Sequence, residues 1–528
     1  MKKIFSSLVM AAALLLFQSC EDQLDVINPN EPTVDVLNSE AGIKRLALGI
    51  YFNGLDINYL WLTQGNHEAM GDVMYIPWGN FGWRWVNQTS SITLTDGTVV
   101  TPPQGGSQGE ELLLRNTRAF GNDNAFYHEW FSMYNVNNVA NLILETAAGD
   151  IEFTGDAATK QGALQAWAHW WKGFAYSRLG SMYIAGLVID DFNSTNSDYV
   201  TNTEIIAEAN RQFDLAAGIL GGISDGEAYR EILLAGLPDF TNNGGTEYPT
   251  PQEWIRNINT MKARNLLVNT KRRDMTAGDW QQVLQLTNAG LQQGDFTFDM
   301  RQDNNNFLFT GWVPPRFFMG WFFPSERLID DYKEDDARFD RNFTTRSDVR
   351  VNQSGRGIQY GTRYNFVDID EGGDLVSETP LAAKLILAGS YEENELMKAE
   401  AKIFTNDIEG GLEHIDAVRT LQDAQLPAVA GTGLTQEQAI EELRIERRVG
   451  LLLRGLAFYD ARRWGVTEPL ADGGGARGPV LVPGTGGFEV DENALLNYNY
   501  LDYWGVPDNE LTFNAPGEGA ANVNVSPR

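Results

Sequence analysis

Hydrophobic and polar positions along this chain fall into blocks with the period of an α-helix, separated by stretches where that period disappears. In the block Gln436–Gly465, Ile445, Val449, Leu452, Leu456 and Tyr459 recur at steps of four and three, which predicts one apolar stripe along a helix of several turns. Glu441, Arg444, Glu446, Arg447 and Arg448 lie off that stripe, and Arg462 and Arg463 close the block, where cations complement a C-terminal helix dipole. Gly450 and Gly455 interrupt it, each at a cost of up to about 1 kcal/mol unless another backbone packs closely there. The expected element is a buried docking helix whose charges form structural pairs.

The same period predicts helices over 39–55, 124–146, 157–183, 203–220, 254–268, 280–291, 391–404 and 411–424. Ser39 is placed to cap the first of these. Met133, Val136, Ala140 and Ile143 share a face of the second, while Trp167, Trp170, Trp171 and Phe174 sit at core spacing on the third and read as packing. Helices that follow one another in pairs, each burying one face on its neighbours, predict a tetratricopeptide-like array of helix hairpins. No clean sequence repeat accompanies it. The expected fold class is mainly α, with long irregular loop insertions and little β.

Two stretches break the period and crowd with aromatics. Residues 61–103 hold Trp61, Tyr75, Trp78, Phe81, Trp83 and Trp85 among Gly, Pro and Asn, and residues 301–324 hold Phe307, Phe309, Trp312, Phe317, Phe318, Trp321, Phe322 and Phe323. A Trp-rich loop either plugs into the core or presents stacking faces to a ligand. Tyr75, Trp78, Phe81, Trp83 and Trp85 are the candidates in the first stretch. Phe81, Trp83 and Trp85 alternate, so they would share a face if that segment were extended.

Charge narrows the choice of ligand. Forty Lys and Arg stand against 71 Asp and Glu, a net −31, and such a field repels nucleic acid, anionic lipid head groups and acidic polymers. Fourteen Trp, 18 Tyr and 27 Phe suit flat, uncharged, partly apolar ligands such as sugar rings. Catalytic signatures are missing: His67, His128, His169 and His414 make no i,i+4 metal pair, no G-x-S-x-G elbow occurs, and the Gly runs near 431 and 484 precede no phosphate-binding helix. Asp191, Asn193, Asn196 and Asp198 lack the glycine and closing glutamate of a calcium loop. No catalytic residue, metal or cofactor is therefore expected. A glycosidase pair among the many carboxylates is not singled out by position.

At the N-terminus, Lys2 and Lys3 precede an apolar run from Ile4 to Phe17 and then Cys20, the sole cysteine. This is the layout of a secretory signal. LLLFQSC resembles a loose Bacteroidetes lipobox, with Phe17 and Gln18 as departures, so a signal peptide over 1–19 and lipidation of Cys20 are expected. Glu21 and Asp22 resemble the acidic tag that directs such lipoproteins to the cell surface. Residues 20–38 read as a tether, because Asn28, Pro29, Asn30 and Pro32 resist helix and sheet.

Several motifs, in one order, resemble those of the SusD/RagB family of nutrient-binding lipoproteins. Glu446, Arg447, Arg448, Leu451, Gly455, Asp460, Arg463, Trp464 and Gly465 match its ERR…RWG helix, with Gly450, Arg454 and Ala457 as departures. Ser325, Leu328, Asp330, Asp336 and Arg338 match its P-S-x-x-L-x-D stretch, in which Arg338 is expected to make a structural ion pair. Leu396, Ala399, Glu400, Ala401, Leu412, Ile415, Val418 and Arg419 match its next hairpin, and Trp504, Val506, Pro507, Glu510 and Asn514 its closing motif, where Ala515 departs. The resemblance implies a single SusD-like α-helical domain over 39–528 whose sugar-binding face lies on the two aromatic stretches, and by position it adds Trp312 and Trp321 to the candidates. It implies a cell-surface, outer-membrane lipoprotein that captures oligosaccharides or polysaccharides and delivers them to a SusC-like TonB-dependent transporter. Peptide capture by a RagB-like protein and, more remotely, surface glycoside hydrolysis are the alternatives.

Overall fold

The computed structural model describes residues 34–53, 55, 62–103, 105–239, 241–242, 244–302, 320–367, 372–374 and 383–528. Cys20 with its signal segment, Trp61 and Trp312 lie outside the described residues. Half of the chain is helical and 13% is strand, so the fold is mainly α with little β, as the periodicity predicts.

Eleven described helices carry the argument. They are α1 (Glu40–Asn53), α2 (Ala125–Ala147), α3 (Ala157–Met182), α4 (Asn202–Leu220), α5 (Glu227–Gly236), α6 (Pro251–Val268), α7 (Ala277–Asn288), α8 (Tyr391–Phe404), α9 (Ile408–Leu421), α10 (Gln436–Gly450) and α11 (Ala457–Arg463). Their starts are written locally. Thr201, Thr250, Thr276 and Thr435 open α4, α6, α7 and α10 with reciprocal capping boxes to Glu204, Glu253, Asp279 and Gln438, which satisfy N–H groups that a helix end leaves without partners. Ser39 Oγ accepts from Gly42 N–H at 3.1 Å, as expected of a cap.

These helices stack in hairpins. α1 packs on α2, α2 on α3, α3 on α4, α6 on α7, α7 on α8, and α8 on both α9 and α10, the tetratricopeptide-like arrangement. Trp167, Trp170, Trp171 and Phe174 of α3 are all buried, and Trp170 stacks on Phe298 with ring centres 4.1 Å apart. One hydrophobic core runs from Ile43 to Val523, with a small satellite around Trp280.

The expected helix over 436–465 is two helices. It breaks after Gly450 because Leu453 and Gly455 adopt positive φ values of 60° and 66°, a conformation that suits glycine and strains leucine. A buried carboxylate fixes the break: Glu68 accepts the Leu453 N–H at 3.3 Å and the Gly455 N–H at 2.7 Å. The buried face follows accordingly. Ala439, Leu443 and Val449 are buried, whereas Ile445 and Leu452 are only partly so.

Glu446 and Arg447, expected off the apolar stripe, are also buried, and the structural pairs expected of this block account for them. Glu446 accepts from Arg338 at 2.5 Å and Arg419 at 2.7 Å, Asp460 holds Arg447 and Arg463, and Arg463 also meets Glu400 at 2.7 Å. Arg338 thus makes the expected structural ion pair.

A sheet that periodicity did not announce covers part of the array. The strands that matter are β1 (Met74–Tyr75), β2 (Ser91–Thr93), β3 (Val99–Val100), β4 (Phe323–Pro324), β5 (Phe343–Val351), β6 (Gly361–Phe366), β7 (Ala476–Gly484) and β8 (Gly487–Asn497). Six of them form one sheet in the order β3-β2-β8-β7-β6-β5. Its centre joins distant sequence, with Leu496 of β8 opposite Ile92 of β2. The remaining two, β1 and β4, pair antiparallel with Met74 opposite Pro324 and Tyr75 opposite Phe323.

Candidate ligand-binding face

The short β1–β4 ladder brings the two aromatic stretches together. It fixes Trp78, three residues past β1, beside Trp321, two residues before β4. Their ring centres lie 6.1 Å apart at 61°, and Trp78 Nε1 donates to the Gly320 carbonyl at 3.2 Å. Beneath them Trp83 is fully buried and receives Phe81, Trp321 and Phe322 edge-on at 5.5, 5.8 and 5.1 Å. Such T-shaped contacts match the positive ring edge to the negative ring face.

The local backbone departs from the extended segment that the alternation suggested. Asn80–Gly82 is a 3₁₀ turn and Trp83–Val86 a short helix, so Phe81, Trp83 and Trp85 do not share one face. Phe81 has φ 57° and Gly82 φ 76°, two successive left-handed residues that fold the Phe81 ring back onto Trp83. At Gly82 a Cβ would stand 2.6 Å from the Asp123 carbonyl oxygen, so only glycine fits.

Burial sorts the candidates. Tyr75 is 2% exposed and Trp83 0%, so neither presents a ring face to solvent. Tyr75 instead gives its hydroxyl to the Tyr360 carbonyl at 2.5 Å and accepts the Asn352 N–H at 2.8 Å. Trp78, Phe81, Trp85 and Trp321 are partly buried. Trp85 is occupied by arginine, the guanidinium carbons of Arg84 and Arg115 lying 4.0 and 3.5 Å from its ring centre. The partly open rings that the ladder brings together are therefore Trp78, Phe81 and Trp321.

Sequence reasoning passed over the polar neighbours of Trp78. A small pocket next to it is lined by Asn87, Gln88, Asn352, Tyr360, Arg84 and Arg356. Arg84 lies between two tryptophans in the sequence, a signal that could have marked it. Arg356 sits in a Gly-flanked turn with no such mark.

A larger cavity of about 490 Å³ lies between the α10–α11 turn, α9 and the strand Ala383–Ala388. Its cations are already engaged by the protein: Arg338 by Asp336 and Glu446, Arg341 by Asp374, and Arg454 by Glu392. It lacks both tryptophans and uncommitted charge, so the aromatic face is the better candidate despite its smaller hollow. Among the described residues no group of three or more His, Cys, Asp or Glu could hold a metal ion.

Comparison with known proteins agrees with this architecture. Residues 393–521 match the SusD family model, a stretch that includes α10 and α11. A SusD-like carbohydrate binding protein from Bacteroides fragilis NCTC 9343 superposes with TM-score 0.55 at 14% identity, over 90% of this chain and 98% of its own. A structure solved with xylogluco-oligosaccharide superposes with TM-score 0.54 at 14% identity, over 92% and 99%. No curated protein matches by sequence. The match to the SusD family thus lies in the C-terminal segment, and the fold is shared with a SusD-like structure along nine-tenths of the chain.

Proposed function

We propose that this chain is a cell-surface glycan-binding lipoprotein, anchored to the outer membrane through Cys20, that captures oligosaccharides or polysaccharides and passes them to a SusC-like TonB-dependent transporter. The observation that carries the ligand class is the aromatic face of Trp78, Phe81 and Trp321, drawn from two distant stretches and backed by buried Trp83 and Phe322. Sugar rings expose C–H faces that pack on indole, and a platform already locked by the helix array loses little entropy when a ligand arrives. The ligand held by one structure of the same fold, a xylogluco-oligosaccharide, supports the same class. The protein acts here by binding, without a reaction of its own.

Glycan-array screening of the purified chain, followed by calorimetry on each hit, tests this reading. Trp78→Ala and Trp321→Ala are each expected to weaken binding about tenfold, equivalent to about 1.4 kcal/mol. Unchanged affinity in both, preferential capture from a peptide library, or release of shortened sugars on prolonged incubation would overturn it. Palmitate incorporation into wild type but not Cys20→Ala tests the anchor, and co-purification with an outer-membrane transporter tests the partner.

A further inference from the structure

The pocket beside Trp78 has a size and charge that fit a particular substituent. Its volume is about 20 Å³, room for a group of one or two oxygens and far too little for a sugar ring. No carboxylate lines it, in a chain with 71 acidic residues. Many arginines of the protein are matched: Arg178 by Glu129, Arg264 by Glu393, Arg327 by Asp72. Arg84 and Arg356 form no ion pair among the described residues. The neighbouring carboxylate, Glu111, is engaged by Arg115 at 2.6 Å.

Arg84 is held in place, and Arg356 lies beside it at an exposed position. Arg84 donates through Nη2 to the Gly355 carbonyl at 2.9 Å and lies over Trp85, while its buried Nε–H has no acceptor. Arg356 lies against the backbone next to Trp78, since a Cβ on Gly79 would stand 3.1 Å from its Nη1. Burial, then the charge of Arg115, lowers the Arg84 pKa against the opposing charge of Glu111, and Arg356 adds to the repulsion. Like charges gathered in a partly desolvated site gain most from an incoming anion.

We propose that this pocket receives one or two oxygens of the anionic substituent, a carboxylate or a sulfate ester, of a sugar whose ring lies against Trp78, so that the ligand is an acidic glycan. The proposal rests on the glycan reading of the aromatic face and names its substrate class. It fits the net charge of −31 because salt screens distant repulsion beyond about 8 Å. A uniformly charged polymer still meets the whole field, whereas a largely neutral chain with spaced acidic residues presents one charge to two arginines.

The test uses uronate-bearing, sulfated and neutral oligosaccharides on matched backbones, each uronate with its carboxyl-reduced counterpart and each sulfated sugar with its desulfated one. Wild type is expected to bind the acidic member of a pair at least tenfold more tightly, with the preference shrinking from 50 to 500 mM NaCl. The uronate and sulfate arms show which group enters. Arg356→Gln, at an exposed position that need not disturb folding, is expected to abolish the preference. Arg118→Gln, outside the pocket, is expected to keep it. Equal binding within pairs, or a preference that survives Arg356→Gln, overturns the proposal while the glycan reading stands. Failure of every sugar, acidic and neutral, overturns both.

Discussion

His67 and Glu68 are sequence neighbours whose burial has opposite consequences for stability. Both side chains are inaccessible to solvent. Burial raises the Glu68 carboxyl from 4.5 to about 7, against the pull of the Gly455 and Leu453 N–H groups and of Arg448 and Arg178. Burial lowers His67 from 6.5 to about 4, assisted by Arg178 and opposed by Glu129.

A carboxyl with a raised pKa holds its proton more tightly when folded. Its contribution is fully present below pH 4.5 and is lost as the pH rises through about 7. The gap, 7 − 4.5, is worth about 3 kcal/mol at roughly 1.4 kcal/mol per pH unit. An imidazole with a lowered pKa works the other way: its stability is complete above 6.5 and lost as the pH falls towards about 4, again about 3 kcal/mol.

Variant minus wild type isolates each slope, because the background from His128 and His169, both also lowered by burial, cancels in the difference. Between pH 7.5 and pH 5, Glu68→Gln should lose about 2.4 kcal/mol relative to wild type. His67→Gln should gain about 2 kcal/mol over the same interval. Urea titrations followed by tryptophan fluorescence, at fixed ionic strength across that range, read these as midpoint shifts of several tenths of a molar. Parallel pH profiles for Glu68→Gln and wild type would refute the assignment of a buried, near-neutral carboxyl at the α10–α11 turn.

Further outcomes follow from the same packing. Arg463→Ala should cost about 3–5 kcal/mol, since it leaves Glu400, which is fully buried, without its charge partner; Arg463→Met combined with Glu400→Met should recover most of that loss in chemical denaturation. Gly71→Ala should destabilise by about 1–3 kcal/mol, because the new methyl collides with Ala457 and its backbone, and a normal thermal midpoint would contradict that contact. Trp83→Ala should cost about 3–5 kcal/mol and abolish glycan binding together. Trp78→Ala should leave the denaturation midpoint nearly unchanged while binding falls.

The helix array was legible because each hairpin buries one stripe and says so in a period of three and four. Ser39, read as a cap, stands at the start of α1. Two features escaped. The break after Gly450 depends on Glu68, nearly four hundred residues earlier, and local spacing carries no trace of so distant a carboxylate. Within the sheet, β2 and β3 escaped because they are three and two residues long, too short for an alternation to register.

At the candidate face, aromatic crowding marked the right segments but not the roles within them. Trp83 and Trp78 are chemically alike, and the left-handed turn at Phe81 and Gly82 is what sends one inward and leaves the other near the surface. The polar partners were invisible for a similar reason. Arg84 and Arg356 acquire meaning from the carboxylates that are missing around them, which a linear reading cannot see.

The pairing of β2 with β8 also has a consequence for synthesis. A chain emerging from a ribosome makes residues 91–93 about four hundred residues before their partners at 495–497. Helix hairpins, built from neighbours, can form as they appear, while contacts of such long sequence separation must wait. The edge of β2 that faces β8, within the first aromatic stretch, therefore stays unpaired until residues 495–497 have been made. Truncation before residue 487 should yield a protein with most of its helix and an unfinished recognition face, prone to capture by chaperones through the exposed edge of that strand.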